Sequence, residues 1–351
     1  MKKYFGVCYY PELYPKEKQE AFIREDIENM RRARFNVVRM AEFCWCLMEP
    51  REGVYDFDWL EEIVDRLGQN GIYTVLCTPT AWQPVWMARR YPETLYVDNL
   101  GVQRSYGGRH YHCYNSPIFR DLTEKICLEM SRRFGRNPYV LGFQVDNEMG
   151  QEHSDRCQCP VCRRKFKEAM KEKFHGDIGA LNEAFGSLFW GQRFDGFEQV
   201  EPPAAGSRED AKSNLGWRGT NMPALRLEFE RFASDSLGDY FRLQRDALRR
   251  FSDKPVTHNT THLGTNAIDY FKLARYEDVA AVDHYPYALD ETKAGSASVY
   301  AMARSYKRRD FWLLETLCGG GHGNWAYQGM PMGTPGTFRQ NMAFAYASGA
   351  E

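Results

Sequence analysis

Two glutamates sit where two apolar runs end. Glu148 closes Tyr-Val-Leu-Gly-Phe-Gln-Val-Asp-Asn-Glu, and Glu315 closes Phe-Trp-Leu-Leu-Glu. Each run is apolar enough to form a buried strand, yet each delivers a carboxylate at its C-terminal edge. A buried carboxylate is costly unless it is paired or used. Two placed this way point to carboxylate-pair chemistry, with glycoside hydrolysis as the leading case. There one acid protonates the leaving oxygen and the other carboxylate attacks the anomeric carbon, about 5–5.5 Å away in retaining enzymes. The plainer alternative is two surface carboxylates at strand ends. Asn147, beside Glu148, offers an amide to a sugar hydroxyl, a bond that strengthens in the transition state. Arg39 and Glu42, closing another apolar run, and Arg109 are candidates to bind hydroxyls or orient the two acids. For Arg39 and Glu42 a structural ion pair is an equal alternative. Trp190, Tyr285 and Trp325 offer ring faces to sugars, with core packing as the alternative for each.

Cys157, Cys159 and Cys162 form Cys-x-Cys-Pro-x-Cys, a knuckle that can hold one ion with three thiolates. Cys113 would supply the fourth ligand of a closed, structural zinc site. A redox or incidental thiol cluster is the alternative. His110, His112 and His153 flank the knuckle as alternative ligands or ordinary loop histidines. Cys8, Cys44, Cys46, Cys77, Cys127 and Cys318 read as small buried apolar residues.

The elements that must position these groups alternate. Strands are predicted at Tyr4 to Glu12, Phe35 to Trp45, Ile72 to Pro79, Tyr139 to Glu148, Pro255 to His262, Val279 to Pro286 and Phe311 to Leu317. Helices are predicted at Lys16 to Arg34, Asp58 to Gln69, Ile118 to Phe134, Leu225 to Phe251 and Thr337 to Ala347. Seven strand–helix units in order favour an α/β fold of the (β/α)8 TIM-barrel type, here a single catalytic domain over residues 1–351. A doubly wound sheet is disfavoured, because no glycine-rich turn follows the first strand. The eighth strand should begin where the chain stops, which reads as a barrel truncated before strand 8 and a fragment of a longer protein. Insertions over 80–117 and 149–223 follow strands three and four on the active-site face, and they carry the cysteines.

The 351 residues fit one large barrel or two modest domains, and a net charge of −1 gives no reason to expect nucleic acid or an anionic membrane. No signal peptide or membrane-spanning run is legible, and ten cysteines without an export signal read as reduced thiols in the cytoplasm.

Several runs are similar to those of glycoside hydrolase family 42: Val-Val-Arg-Met-Ala-Glu-Phe-Cys-Trp-Cys-Leu-Met-Glu-Pro, Arg-His-Tyr-His-Cys-Tyr-Asn-Ser-Pro, Gln-Val-Asp-Asn-Glu-Met-Gly, the cysteine knuckle and Phe-Trp-Gly-Gln-Arg-Phe-Asp. They stand in family order over almost the whole chain. The resemblance implies a retaining β-galactosidase with Glu148 as acid/base and Glu315 as nucleophile. It also implies galactose contacts from Arg109, Asn147 and Trp325, and structural zinc on Cys113, Cys157, Cys159 and Cys162, with no organic cofactor. Family members are typically homotrimers, with a Rossmann-like trimerisation domain and a small β domain after the barrel. The chain departs from the family after Glu315, where Thr-Leu-Cys-Gly-Gly-Gly replaces the usual early proline. The expected substrate is a terminal β-galactoside of a small oligosaccharide. The rivals are an α-L-arabinopyranosidase, a non-catalytic carbohydrate-binding barrel and a zinc-dependent hydrolase.

Overall fold

The computed structural model describes residues 3–151, 154–203, 222–261, 268–286, 293–317 and 335–351. Among the described residues there are eight strand segments: β1 (Gly6–Cys8), β2 (Val37–Met40), β3 (Tyr73–Cys77), β4 (Val140–Gln144), β5 (Val256–Thr257), β6 (Asn259–Thr261), β7 (Ala281–His284) and β8 (Trp312–Thr316). β1 to β5 form one parallel sheet in chain order and β6 to β8 a second. β5 and β6 are two halves of one barrel strand interrupted at His258, so the expected seven strands are all in place. Cys8 Sγ reaches Leu314 O at 3.7 Å, which brings β1 beside β8. The final residues enter this seam. Phe311 N–H donates to Gly349 O at 3.1 Å and Glu351 N–H to Phe311 O at 2.9 Å, an isolated parallel bridge between Phe311 and Ala350 where the eighth strand is expected.

Strand alternation divides the side chains. Val38, Met40, Leu76, Phe143 and Val256 point outward into the core shared with Ile23 and Ile27, Leu60 and Leu67, Phe119 and Ile126, and Tyr240 and Phe241 of the surrounding helices. Each full burial of such a side chain stabilises the fold by roughly 1.5–3 kcal/mol. The barrel interior is plugged by Val75, Ala281 and Trp312. Gly142 makes room for that plug, since a Cβ there would lie 2.8 Å from Pro255 O and 3.4 Å from the Trp312 ring. Above the plug, the inward positions turn polar.

Several expectations change. The predicted strand Phe35 to Trp45 ends at Met40, and Trp45 opens a short helix to Met48, which leaves Cys46 exposed where a buried residue was expected. The predicted strand Tyr139 to Glu148 ends at Gln144, leaving Glu148 in a turn. The first strand is short, giving way to a 3₁₀ turn over Pro11–Leu13, because Pro11 removes the N–H that a strand would need. The second insertion is no plain loop. Its helices Pro160–Lys173 and Ile178–Phe185 bury Phe166, Met170 and Leu181 against Val200, Met222, Leu225 and Phe229 in a separate small core. The first insertion ends at the helix Pro117–Phe134, which Ser116 caps with proline in the first turn.

Candidate active site

The turn after β4 is built to present Glu148. Asp146 and Glu148 have φ of 57° and 45°, a left-handed conformation that costs a non-glycine residue about 1–2 kcal/mol. Backbone donors hold it. Asp146 N–H donates to Thr78 Oγ1 at 2.7 Å, Glu148 N–H to Asn259 Oδ1 at 3.0 Å and Met149 N–H to His258 Nε2 at 3.2 Å. Asp146 accepts from Thr80 Oγ1 at 2.5 Å and lies 3.5 Å from His110 Nε2. Burial pushes its carboxyl up, but the His110 and Thr80 contacts outweigh that and hold it below the usual range. His110 Nε2 also reaches Asn147 O at 2.7 Å.

Glu315 occupies the inward row of β8, and its Oε1 lies 2.8 Å from Arg39 Nη1. Tyr285 donates its hydroxyl to Glu315 Oε2. Arg39 is almost wholly buried and fans out: Nε donates to Gln144 Oε1 at 2.6 Å, Nη2 to Asn147 Oδ1 at 2.5 Å, and Nη1 lies 3.1 Å from Glu42. A buried guanidinium is tolerable because carboxylates and amide oxygens surround it. Glu42 is itself fully buried and also accepts from Tyr10 at 2.6 Å, so it stands behind Arg39.

Arg109 Nη1 lies 2.5 Å from Glu148 Oε2. Burial raises the Glu148 carboxyl, the Glu315 charge raises it further, and Arg109 opposes both. One carboxylate oxygen each of Glu148, Asp283 and Glu315 lies within 4.8 Å of the other two. The structure thus brings together Glu148, Glu315, Arg39, Arg109, Asn147 and Tyr285 at one end of the barrel. Trp190 lies in the turn Phe189–Gly191 of the second insertion. Trp325, His153 and Cys318 fall outside the described residues.

Three further residues complete the cluster. Asp283 is the inward acid of β7. Asn259 opens β6 and donates to Asn147 Oδ1 at 2.9 Å, Asp283 Oδ2 at 2.6 Å and Glu315 Oε1 at 3.3 Å. Gln144 closes β4 and donates to Asn259 Oδ1 at 2.9 Å. Asp283 carries the signal that marks the two glutamates, a lone acid in an apolar strand. Asn259 has none, lying in the polar run Thr-His-Asn-Thr-Thr.

The four knuckle and insertion cysteines meet in a separate cluster with Tyr96. All four are buried free thiols, and their sulfurs lie within 4.8 Å of one another. Cys113 Sγ is 3.6 Å from Cys159 Sγ and 3.4 Å from Cys162 Sγ. Tetrahedral zinc, with Zn–S bonds of about 2.3 Å, separates its sulfurs by roughly 3.8 Å, so the donor set fits that ion.

The chain matches known proteins along almost its whole length. The family model for glycoside hydrolase family 42, described as beta-galactosidase, matches residues 8–351. The β-galactosidase of Thermus thermophilus is 38% identical over 99% of this chain and 53% of its own length. BgaH, a β-galactosidase of Haloferax lucentense, is 34% identical over 99% of this chain and 51% of its own. The crystal structure of β-galactosidase from Bacillus circulans sp. alkalophilus superposes with a TM-score of 0.88 at 34% identity, covering 99% of this chain and 49% of that one. The chain therefore spans about half the length of the relatives it matches. With its barrel, its paired glutamates and a match over residues 8–351, the chain belongs to glycoside hydrolase family 42.

Proposed function

We propose that this chain carries the catalytic site of a retaining β-galactosidase acting on terminal, non-reducing β-D-galactosides of small oligosaccharides. The observation that carries the reading is the spacing of the carboxylates. One oxygen of Glu148 and one of Glu315 lie within 4.8 Å, which fits the retaining separation of about 5–5.5 Å between carboxyl groups better than the inverting one of about 6.5–9.5 Å. The family and the names of its relatives supply the sugar.

In the first step Glu315 attacks the anomeric carbon while Glu148 gives its proton to the departing glycosidic oxygen, forming a covalent galactosyl–enzyme. In the second, Glu148 takes a proton from water as that water displaces Glu315. Arg39 and the Tyr285 hydroxyl keep Glu315 oriented for attack, and burial keeps Glu148 protonated for the first step. Asn147 is fixed through its oxygen by Arg39 and Asn259, leaving its Nδ2 to donate to a sugar hydroxyl. Arg109 and Trp325 are proposed galactose contacts on the family resemblance, and Trp190 a ring wall of the cleft.

The cysteine cluster is proposed to hold one structural zinc on Cys113, Cys157, Cys159 and Cys162. The ion would tie the two insertions together and take no part in bond cleavage. No described helix is long and apolar enough to cross a membrane. Trimeric assembly and a cytoplasmic location rest on the resemblance and on cysteine usage; sedimentation of the whole protein tests the first and cell fractionation the second.

Azide separates the two glutamates. E315G should lose turnover by on the order of 10⁴-fold, and azide should restore it as α-galactosyl azide, the inverted product of a single displacement. E148G should lose about 10²–10⁴-fold on poor leaving groups, far less on dinitrophenyl galactoside, and give β-galactosyl azide. Rescue of E315G with a β-configured product would overturn the assignment. Faster turnover of nitrophenyl α-L-arabinopyranoside than of the galactoside would move the substrate to that related sugar.

A further inference from the structure

Asp283 and Glu315 are direct register partners on neighbouring parallel strands, so two acids stand side by side in the inward row. Asp283 is the deeper one, 4% exposed, against 15% for the Glu315 side chain and 11% for Glu148. Arg39 contacts Glu315 and Arg109 contacts Glu148, but among the described residues no cation pairs with Asp283. Its Oδ2 accepts from Asn259 Nδ2, and its Oδ1 is buried with no hydrogen-bond partner among the described residues. Three ionised carboxylates within 4.8 Å would leave a net charge in a buried cluster, and the unpartnered oxygen would lose its hydration uncompensated.

We propose that Asp283 is a neutral carboxylic acid and the positioning residue for both glutamates, anchoring Asn259 through Oδ2. Asn259 is the joint on which this acts. Its Oδ1 accepts from the Glu148 backbone N–H and from Gln144, which fixes the orientation of the amide. Its Nδ2 therefore faces Asp283, Asn147 and Glu315. One amide thus ties the turn that carries Glu148 to the side chain of Glu315, and Asp283 holds that amide from the far side. The groups facing Asp283 are Glu315 and Asn259 on the neighbouring strands, Glu148 on its turn, Arg39 on β2 and Tyr285 just beyond its own strand. Burial and the two glutamate charges push the Asp283 carboxyl well above the usual range, against Arg39 and Asn259. The inference rests on reading Glu148 and Glu315 as the catalytic pair.

The test compares D283A with D283N in the whole protein. Alanine removes the anchor, and kcat should fall about 10–100-fold with KM nearly unchanged, the effect of a misplaced catalytic group. Asparagine keeps an acceptor and the neutral charge, so it should recover most of that loss and leave the basic limb of kcat/KM in place. If Asp283 is instead ionised, D283N removes a negative charge beside Glu148 and the basic limb falls by about one unit or more, which overturns the proposal. Full activity in D283A overturns it as well. An infrared difference spectrum at pH 7 reads the same proton without turnover. The protein should show a protonated-carboxyl band that D283N lacks, and no lost band overturns the proposal even if every galactoside proves inert.

Discussion

Glu148 is pulled in two directions by its surroundings. Burial and the nearby Glu315 charge favour its protonated form, and the Arg109 guanidinium 2.5 Å away favours the carboxylate. A general acid must hold its proton at working pH, yet an acid raised too far becomes a poor base in the second step. Arg109 therefore limits the rise. R109M should move the basic limb of the kcat/KM profile to higher pH, because the group that lowered the Glu148 pKa is gone, and should lower kcat/KM through loss of the proposed sugar contact. A pH series on nitrophenyl galactoside checks this, and a basic limb that stays put or moves down removes Arg109 from that role. At this scale the sequence is readable where a charge interrupts an apolar strand, as at Glu148, Glu315 and Arg39. Asp283 has the same mark, in Ala-Val-Asp-His, but its partner is supplied by strand register, which spacing along one chain does not reveal. Asn259 is invisible in sequence because its value lies in five hydrogen bonds to residues from three other segments.

His258 joins two elements, sitting between β5 and β6 and holding the turn that follows β4. Its Nδ1 reaches Val145 O at 2.8 Å and its Nε2 accepts from the Met149 N–H, so the ring is neutral with the proton on Nδ1. A protonated ring would lose the second bond and carry charge into the core. Burial accordingly pulls its pKa down from 6.5 to about 4. Between those values the unfolded chain binds a proton that the folded chain refuses, so stability falls as pH drops from about 6.5 toward 4. The fall amounts to roughly 3 kcal/mol from this residue. H258Q should be less stable than the parent at pH 7, and the gap should narrow on acidification as the parent alone loses this contribution. Thermal melts at pH 4.5 to 7 check it, and a constant gap sinks the idea. Strand existence and order were legible from periodicity. The break at His258 and the end of β4 at Gln144 were not, because both follow from how the turn is braced by a distant strand.

Across the whole molecule, the two insertions are fastened to each other as well as to the barrel. Cys113 stands four residues after Arg109, and the helix that follows it starts at Pro117. On the other side, Gln158 N–H donates to Val97 O at 2.8 Å, and Val97 N–H to Cys157 Sγ at 3.4 Å. The second insertion brings its own core to this junction. The cysteine cluster was legible because three cysteines crowd one short segment and a fourth lies in the other insertion. The helical character of the insertion was obscured by its polar, charged surface. If zinc occupies the four thiols, metal analysis of the whole protein should give one zinc per chain, falling toward none in C162S. Because a structural ion adds its binding energy to folding, chelation or C162S should lower Tm by several degrees. Neither should shift the pH limbs of turnover by protein that remains folded, since among the described residues neither glutamate touches the cluster. A catalytic metal would reverse this order, abolishing turnover at temperatures where the chelated protein still shows its full folded circular dichroism.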